Sequence, residues 1–344
     1  MEQLMPGTVA HPSDFGAMWD MVTAYRASQL ARVAAVLSLP EHLAEGEKTA
    51  EEIARAESTD PDATFRLLRM CASFGLVSAR EGGRFAGTGL LATLRADAPG
   101  SMRGLALTLS APGHWLTWGR LPEAVISGGP QAVQALGRDL WDHYAEQPAE
   151  AADFALAMSG MTAAVGDEAA RLIDTTGVER AVDVGGGNGS LVHALMAAHP
   201  DLSGVVLDLP SQVEQARARI GELGLQDRLT AETGDFFEAV PEGDLLLLRY
   251  ILHDWDDESA RRILTRCREA LRPGGRLLVM ELTVGELGGP SIGPSQDLNM
   301  MVLFGGRERT SDEYGALFAS VGLKLVSSTH TNSPMTILEA VVAD

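Results

Sequence analysis

From Val178 onward the chain repeats one pattern, a short apolar segment followed by a stretch with helical spacing of its apolar residues. This alternation is typical of βαβ units, in which parallel strands form a sheet covered by helices on both faces. The segments that predict strands are RAVDV, GVVLDL, LTAET, DLLLLRY and RLLVMEL. Two more, GLKLVSSTH and MTILEAVVA, flank the turn TNSP and predict a hairpin. We expect an α/β fold with a doubly wound, mostly parallel sheet and a C-terminal antiparallel hairpin.

The first hundred residues predict a different, mainly α-helical region. Residues 15–37 are expected to form one helix with apolar residues on more than one face, which favours contact with a partner as well as with the core. TAEEIARA and DPDATFRLLRMCASFG predict two further helices, and a hairpin turning at EGG follows. This order is that of a winged helix. We predict a winged-helix-like dimerisation domain (1–105), a helical linker and substrate-capping region (106–177) and the α/β domain (178–344).

Charge and composition restrict the partners. The 344 residues carry a formal charge of −20, and residues 1–100 hold 9 Lys and Arg against 13 Asp and Glu. Nucleic acids and anionic membranes normally require clustered basic residues, so neither partner is expected, although winged helices commonly bind DNA. The apolar segments are too short to cross a bilayer, and no signal-peptide pattern is visible. The only cysteines, Cys71 and Cys267, lie in helical patterns, so we expect a cytoplasmic protein.

The segment AVDVGGGNGSLVHALM predicts a strand, a glycine-rich turn and a helix. Glycines let the backbone approach a ligand closely, and the start of the helix offers free N–H groups. The spacing is Asp183-x-Gly185-x-Gly187-x-Gly189. A dinucleotide fingerprint would have its third glycine where Ser190 stands, whereas the third glycine of this loop is Gly189.

Acids at the ends of the next two strands extend this pattern. Asp208 in VVLDLP ends the second strand, where a carboxylate can accept bonds from both hydroxyls of a ribose. Asp235 and Phe236 in GDFF follow the third strand, where an adenine would lie. A glycine loop alone is weak evidence. The loop together with acids at the correct strand ends strongly indicates a nucleoside-containing ligand.

With ILHDW and GGRERT, these motifs resemble the class I S-adenosylmethionine-dependent methyltransferases, and more closely the caffeic-acid-type small-molecule O-methyltransferases of plants and bacterial antibiotic pathways. The resemblance covers nearly the whole chain. It implies a Rossmann-like fold, a homodimer formed through the N-terminal domain, and S-adenosyl-L-methionine as cofactor, with S-adenosyl-L-homocysteine as product. The implied cofactor-binding residues are Asp183, Gly185, Gly187, Asp208, Leu209, Asp235, Phe236 and Arg249. Arg249 replaces the family's usual lysine, which keeps the charge but changes the geometry.

The resemblance also implies that His253 is the general base that removes the proton of an acceptor hydroxyl. A phenol with a pKa of about 10 is a poor nucleophile while protonated, and an imidazole with a pKa of about 6.5 can accept its proton at neutral pH. Glu281 in LLVMEL and Glu308 in GGRERT match the acidic partners of this base. One would hold the imidazole and the other would steer the ring or the substrate, and the sequence does not decide which. The alternatives are a salt-bridged strand end for Glu281 and a surface ion pair with a neighbouring arginine for Glu308.

Three further acids follow His253: Asp254, Asp256 and Asp257. The preference of aspartate for helix N-termini accounts for them, so no metal ion is expected. By family analogy, the acceptor is an aromatic or polyketide molecule with a phenolic hydroxyl. The residues expected to line its pocket are Trp115, Met158, Met161, Met300, Met301 and Phe304.

Two other functions stay open at this point. Some bacterial relatives use the same fold and cofactor for decarboxylation, hydroxylation or ring formation instead of methyl transfer. Relatives that abandon methylation can lose the histidine, which this chain keeps. The non-enzymatic alternative is a ligand-sensing regulator built on the winged helix, which the acidic charge disfavours.

Overall fold

A computed structural model describes residues 12–285, 287–288, 292–332 and 335–343, except for the side chains of residues 12, 159, 161–167 and 211. The chain divides into two compact units. The first comprises Met1–His114 and Gln147–Gly160, and the second comprises Trp115–Glu146 and Met161–Asp344.

Helices dominate the chain before the main sheet. In chain order they are α1 (Pro12–Thr23), α2 (Tyr25–Val36), α3 (Leu39–Ala44), α4 (Ala50–Glu57), α5 (Pro61–Ser73), α6 (Gly89–Ala92), α7 (Arg103–Leu109), α8 (Pro112–Trp118), α9 (Leu121–Ser127), α10 (Ala132–Leu136), α11 (Leu140–Glu146) and α12 (Pro148–Leu172). A small antiparallel sheet contains β1 (Lys48–Thr49), β2 (Val77–Ala79) and β3 (Arg84–Gly87), in the order β1-β3-β2. The pairing of β2 with β3 confirms the predicted hairpin. None of the helices among the described residues has the length and apolar character needed to span a membrane.

The helix predicted over residues 15–37 is in fact two helices, α1 and α2, that meet at Ala24. The hydroxyl of Thr23 donates a hydrogen bond to the carbonyl oxygen of Trp19 at 2.8 Å. The N–H of Ala24 bonds to the carbonyl of Met21, three residues back. A threonine hydroxyl that competes for a helical carbonyl weakens the i to i−4 ladder, which gives a physical reason for the break.

One face of α1 consists of large apolar side chains that are exposed in the single chain. The α1 apolar face comprises Phe15, Met18, Trp19, Met21 and Val22. Their exposed fractions lie between 56% and 72%. A contiguous apolar surface of this kind marks contact with another molecule, in agreement with the partner contact expected from the sequence.

The second unit contains the α/β sheet that the alternating pattern predicts. Its elements are β4 (Arg180–Val184), α13 (Ser190–Ala198), β5 (Ser203–Asp208), α14 (Pro210–Leu223), β6 (Leu229–Thr233), β7 (Gly243–Arg249), α15 (Asp257–Ala270), β8 (Leu271–Leu282), α16 (Gly293–Leu303), α17 (Ser311–Ser320), β9 (Leu323–His330) and β10 (Met335–Val342). The strand order is β6-β5-β4-β7-β8-β10-β9. Strands β4 to β8 pair with one another in parallel, whereas β10 is antiparallel to both β8 and β9. The predicted fold class is confirmed, including the C-terminal hairpin.

The central strands are buried on both faces, which explains their continuous apolar sequences. In β7, residues Leu245–Leu248 are each 0% exposed. Leu245 and Leu247 pack in a core with α13 and α14, while Leu246 and Leu248 pack in a second core with α15 and α17. Full burial of a leucine side chain contributes about 1.5–3 kcal/mol, so the sheet is a rigid support for the residues at its edge.

The five parallel strands end at the same edge of the sheet, where open α/β folds bind their ligands. The glycine loop follows β4, Asp208 ends β5, and Asp235 comes soon after β6. Arg249 ends β7, and Glu281 is the last residue but one of β8. The topology alone therefore places these residues along one edge.

Candidate active site

The glycine loop, residues 185–189, connects β4 to α13. Gly185, Gly187 and Gly189 have φ angles of 68°, 57° and 73°, which L side chains rarely adopt. A Cβ atom on Gly185 would lie 2.5 Å from Cδ1 of Ile251, and one on Gly189 would lie 2.8 Å from Cγ2 of Val206. At Gly187, no described atom lies within 4 Å of the Cβ position. The loop is packed at both ends and open at Gly187, where a ligand can approach the backbone.

Asp183 supports the loop from inside the protein. It is 1% exposed, and its Oδ2 atom accepts a hydrogen bond from the N–H of Val192 at 3.4 Å. Burial raises the pKa of Asp183 to about 6, and the nearby charge of Arg249 opposes this rise. Arg249 donates to the hydroxyl of Ser190 at 3.1 Å, while its buried Nη1 atom has no hydrogen-bond partner among the described residues. Arg249 thus retains donors for a ligand.

Asp208 holds the open part of the loop from the neighbouring strand. Its Oδ2 atom accepts from the N–H of Gly187, and its Oδ1 atom from the N–H of Leu209, both at 2.7 Å. Burial raises the pKa of Asp208, and these two backbone bonds act in the opposite direction. Each carboxylate oxygen has a second lone pair, so both can still accept bonds from hydroxyls. Leu209 is 58% exposed and offers an apolar surface beside them.

Phe236, after β6, also lies beside the glycine loop. Its Cε1 atom is 3.6 Å from the Cβ position of Gly185. Its ring packs edge-on against Trp255, with centroids 6.2 Å apart and an interplanar angle of 83°. Asp235 accepts a hydrogen bond from the N–H of Phe237 at 2.8 Å, which fixes the turn. The structure therefore brings together the loop and the ends of β5 and β6, as the sequence predicts.

Strand β7 is followed by a kink at Tyr250, whose φ is 55°. A positive φ in a residue other than glycine costs of order 1–3 kcal/mol and is concentrated at functional sites. The N–H groups of Ile251 and Leu252 both donate to Oε1 of Glu281, at 3.1 and 2.8 Å. The ring of Tyr250 stacks on His253, with centroids 5.6 Å apart. Glu281 therefore fixes the backbone that leads to His253.

His253 lies in the 3₁₀ turn Leu252–Asp254 and is 9% exposed. Its Nδ1 atom is 2.8 Å from Oε1 of Glu308, whereas Oε2 of Glu281 is 3.7 Å from the same atom. A carboxylate only accepts, so we assign the proton to Nδ1, and Nε2 is left as the nitrogen that can accept one. Glu308 therefore orients the imidazole and Glu281 braces the backbone. Glu308 is 2% exposed, so a surface ion pair is not its role.

The charges around His253 change its acidity. Burial alone lowers the pKa of His253, but Glu281, Asp254 and Glu308 outweigh burial and raise the pKa to about 10. Burial raises the pKa of Glu281 to about 7, with the closeness of His253 acting against it. The carboxylates therefore favour the imidazolium form of His253. The sequence predicts an ordinary pKa for this imidazole, whereas the carboxylates in the structure raise it.

Asp254 does not cap a helix, in contrast to the interpretation of the sequence. The N-cap of α15 is Asp256, whose Oδ1 atom accepts from the N–H of Ser259 at 2.8 Å, and Asp257 lies in the first turn. Asp254 instead lies 3.5 Å from Nε2 of His253. Capping accounts for Asp256 and Asp257 and is wrong for Asp254, which belongs to the charged surroundings of the imidazole.

Arg309 is a site residue that the sequence analysis missed. It is 1% exposed, and its Nη1 atom donates to the carbonyl oxygen of Leu252 at 3.0 Å, one residue before His253. The triplet Arg-Glu-Arg in GGRERT is typical of a solvated surface. No local pattern distinguishes it from a buried one, because the burial of Arg309 depends on a contact with a segment 52 to 57 positions away.

His253, Glu281 and Glu308 are also close enough to share a metal ion, since one ligand atom from each lies within 4.8 Å of the others. The hydrogen bond from His253 to Glu308 and the two backbone bonds to Glu281 account for this cluster without an ion. The expectation of a metal-independent site stays a prediction.

The residues predicted to line the acceptor pocket fall in both units. Trp115, Met300, Met301 and Phe304 belong to the second unit and Met158 to the first, while the side chain of Met161 is outside the described residues. In the second unit, Phe304 stacks on Trp141 with ring centroids 5.2 Å apart. Trp141 is 51% exposed and was not identified from the sequence. The acceptor pocket stays a prediction.

Two family models match the chain, an O-methyltransferase domain over residues 118–324 and an O-methyltransferase dimerisation domain over residues 19–94. The chain belongs to the O-methyltransferase family. This result confirms the family resemblance and establishes a dimerisation domain in the helical N-terminal region, where the α1 apolar face is exposed.

Curated relatives of this O-methyltransferase include a phenazine O-methyltransferase from Lysobacter antibioticus, 34% identical over 93% of this chain and 94% of the relative. They also include an aclacinomycin 10-hydroxylase from Streptomyces purpurascens, 36% identical over 88% of this chain and 82% of the relative. A similar solved structure is an O-methyltransferase of neocarzinostatin biosynthesis in complex with S-adenosylmethionine and 2-hydroxy-5-methyl naphthoic acid. It has a TM-score of 0.80 and 34% identity, and the match covers 92% of this chain and 96% of that one.

S-adenosylmethionine is the cofactor of this O-methyltransferase, and the site is suited to it. The open space at Gly187 leaves room beside the backbone of the loop. The two oxygens of Asp208 keep lone pairs for ribose hydroxyls, and the buried Nη1 of Arg249, without a hydrogen-bond partner among the described residues, adds positive charge beside the loop. These groups match the ribose and the amino-acid part of the molecule.

Proposed function

We propose that this O-methyltransferase methylates a phenolic hydroxyl of an aromatic or polyketide small molecule, with His253 as general base. The observation that carries the proposal is the hydrogen bond between Nδ1 of His253 and Glu308, which leaves Nε2 to accept the proton of the acceptor. When bound, S-adenosylmethionine supplies a methyl group that its sulfonium makes electrophilic. The protein has to hold the acceptor hydroxyl in line and remove its proton, as positioned bases do.

The raised pKa of His253 suits a phenol. A phenol has a pKa of about 10, as tyrosine does, and the pKa of His253 is raised to about 10. Two groups of matched pKa exchange a proton with little change in free energy. The carboxylates of Glu281, Asp254 and Glu308 stabilise the imidazolium that results from the transfer.

Glu308 and Glu281 have separate tasks in this proposal. Glu308 fixes the ring orientation of His253 through Nδ1. Glu281 accepts the N–H groups of Ile251 and Leu252 and maintains the kink after β7. In the same proposal, Gly185, Gly187 and Arg249 bind the methionine part of the cofactor, supported by Asp183. The ribose and adenine are assigned to Asp208, Leu209, Asp235 and Phe236.

The acceptor binds in an apolar pocket. The residues that line the acceptor pocket are Trp115, Met158, Met161, Met300, Met301 and Phe304. The chain is divided into a dimerisation domain (1–105), a substrate-capping region (106–177) and a catalytic domain (178–344), and it acts in the cytoplasm. Support for an aromatic acceptor comes from the relatives, whose names specify a phenazine and a naphthoic acid.

The test is methylation of a panel of acceptors with S-adenosylmethionine carrying a labelled methyl group. The panel contains hydroxynaphthoates and hydroxyphenazines, together with their methyl ethers as controls in which the hydroxyl is blocked. We expect label in the product from one or more free phenols and none from the ethers. Label on an ether, or on an acceptor without a hydroxyl, would contradict the proposal.

A second candidate is hydroxylation, because a 10-hydroxylase is as similar to this chain as the O-methyltransferase relatives are. Both reactions use the same fold, so identity alone does not separate them. Mass spectrometry of the same incubations does, since a methyl group adds a labelled carbon and hydroxylation adds oxygen without label. The presence of His253 next to Glu308 favours the methyl transfer.

A further inference from the structure

Two segments that are far apart in the sequence are joined at the site by one buried side chain. Arg309 is 1% exposed, and its guanidinium donates to the carbonyl oxygens of Leu252 at 3.0 Å and of Trp255 at 2.9 Å. Its Nε and Nη2 atoms also donate to Oδ1 of Asp257, at 3.1 and 2.8 Å. The acceptors lie on both sides of His253, so the guanidinium spans the turn that carries the base.

The backbone beside Arg309 makes a further contact with the same turn. The N–H of Arg307 donates to the carbonyl oxygen of His253 at 2.8 Å. A Cβ atom on Gly306 would overlap that carbonyl oxygen, so the two segments approach as closely as glycine allows. The residues 306–309 therefore lie directly against the turn, and Glu308, which orients the imidazole, is the neighbour of Arg309 in the chain.

The fixed fork of a guanidinium explains why this contact defines a geometry. Its N–H groups lie in one plane at set angles, so three acceptors held by one arginine have a defined arrangement. Stability alone gives a weak reason for such a group, because the side chain of Asp257 is 42% exposed and a partly exposed ion pair contributes little. Arg309 sets the relative position of two segments, one carrying His253 and the other Glu308. Positioning this pair is therefore a more specific explanation for Arg309 than stability.

We infer that Arg309 is a positioning residue for the general base: with Asp257 it holds the turn of His253 in register with Glu308. The inference rests on the proposed function, since it gives Arg309 a task only if His253 acts as the base. Among the described residues, the side chain of Arg309 donates to Leu252, Trp255, Asp257 and Arg307, and not to the glycine loop, Asp208 or Phe236.

The test compares Arg309→Lys with Arg307→Lys. Lysine keeps the charge of Arg309 but presents a point donor, which cannot satisfy the acceptors at Leu252, Trp255 and Asp257 together. A displacement of about 1 Å at a reacting group can reduce a rate by about 10²-fold, so we expect kcat to fall by roughly 10- to 100-fold in Arg309→Lys. The Kd for S-adenosylhomocysteine should stay within about twofold. Arg307 has a half-exposed side chain that pairs with Glu313 and lies 3.9 Å from Asp257. Arg307→Lys keeps this charge and the backbone bond to His253, so it should have wild-type kcat.

A second measurement does not depend on turnover. The Nδ1 proton that His253 shares with Glu308 should give a strongly deshielded NMR resonance, identified by its loss in His253→Ala and Glu308→Gln. We expect this resonance to weaken or shift in Arg309→Lys and to be unchanged in Arg307→Lys. Asp257→Asn weakens the same contact without removing the guanidinium, and it should reproduce a smaller part of both effects if Arg309→Lys does not fold.

The outcomes separate this inference from the proposed function. If His253→Ala and Glu308→Gln lose turnover while Arg309→Lys keeps wild-type kcat and an unchanged Nδ1 resonance, the inference fails and the proposed function stands. A kcat that falls only in proportion to the folded fraction, with the resonance unaltered, makes Arg309 a purely structural residue and also overturns it. If His253→Ala keeps wild-type turnover, the proposed function fails and the inference with it.

Discussion

The carboxylates that face His253 determine how the rate of the enzyme should depend on pH. A base acts in its neutral form, and the pKa of His253 is raised to about 10 by the facing carboxylates. The neutral fraction therefore grows as the pH rises from neutrality towards 10. We expect kcat/KM to increase over this interval, rather than to reach a plateau above the ordinary pKa of histidine. A profile that is already flat at neutral pH would contradict the raised pKa.

The acceptor hydroxyl also ionises as the pH rises, so the titration of His253 needs a control. Removal of the Glu308 carboxylate, which is hydrogen-bonded to Nδ1 of His253, provides it. Glu308→Gln keeps the shape of the side chain but removes the carboxylate that raises the pKa of His253. We expect its pH profile to shift towards lower pH, together with a lower maximal rate, since the ring is held less firmly. The acceptor is the same in both enzymes, so the shift belongs to His253. Superimposable profiles would show that the acceptor alone titrates.

Replacing the base itself tests its role directly. In His253→Ala, turnover should fall by roughly 10²–10⁴-fold, the usual contribution of a positioned general base. Cofactor affinity, measured by calorimetry, should be nearly unchanged, because the ribose and adenine residues lie on other strands. Part of the lost rate should return near the pKa of the acceptor, where the phenol is already ionised. Normal turnover at neutral pH would reduce His253 to a packed residue.

The carboxylate at the end of β5 is expected to contribute much of the cofactor affinity. Hydrogen bonds to a charged group are worth about 1.5–3 kcal/mol each, and every 1.4 kcal/mol is about tenfold in Kd. Asp208→Ala should therefore weaken S-adenosylmethionine and S-adenosylhomocysteine alike, by roughly tenfold or more. Asp201→Ala, an exposed acid just before the same strand, is the matched control and should bind normally. Unchanged affinity in Asp208→Ala would show that this acid only supports the loop.

Among the elements, the glycine loop allows strain to be separated from ligand binding. Gly187 and Gly224 both have positive φ, at 57° and 66°, and neither has described atoms within 4 Å of its Cβ position. Replacement of either by alanine costs about 1–2 kcal/mol of backbone strain, so both variants should lose similar Tm. Only Gly187→Ala places a methyl group at the open part of the loop, so only it should weaken S-adenosylhomocysteine in calorimetry. Equal affinities in the two variants would remove the loop from the cofactor site.

Elements with a strong local pattern could be predicted from the sequence. The strands of the main sheet follow from apolar segments between helical ones. The segment TAEEIARA also predicts α4, which begins with a capping box of Thr49 and Glu52. The order of motifs along parallel strands also predicts which residues meet at the sheet edge. The helix break at Ala24 was not predicted, because it depends on a hydrogen bond from the hydroxyl of Thr23 to the carbonyl oxygen of Trp19 in the preceding turn.

The rest of the site depends on contacts that no local pattern contains. Tyr250 adopts a positive φ although tyrosine has no preference for it, because the backbone beyond it bonds to Glu281 on another strand. Asp254 is of a residue type that often caps helices, but it lies beside His253. Arg309 is of a residue type that is usually exposed, but it is buried. The pKa of His253 has the same origin, since it reflects three carboxylates brought together by the fold.

At the scale of the whole molecule, three residues of the α1 apolar face, Trp19, Met21 and Val22, lie within the region that matches a dimerisation domain. Trp19 is 67% exposed and Val22 64% exposed in the single chain. Charges introduced on this face should be desolvated in a dimer, so Trp19→Asp with Val22→Asp should give a monomer in light scattering. Leu223→Asp, at an exposed apolar residue of α14, should leave the assembly unchanged. A stable dimer of the double variant would place the interface elsewhere.

The position of β10 affects how the protein forms during synthesis. Although β10 follows β9 in the chain, it lies between β8 and β9, and its Thr336 pairs with Glu281. Until residues 335–342 leave the ribosome, β8 is an open edge with unpaired N–H and C=O groups, which invite pairing with other chains. Translation of the intervening segment takes several seconds at about 5–20 residues per second. The strand pairing of Glu281, which accepts the N–H groups of Ile251 and Leu252, is therefore completed only after Thr336 has been synthesised.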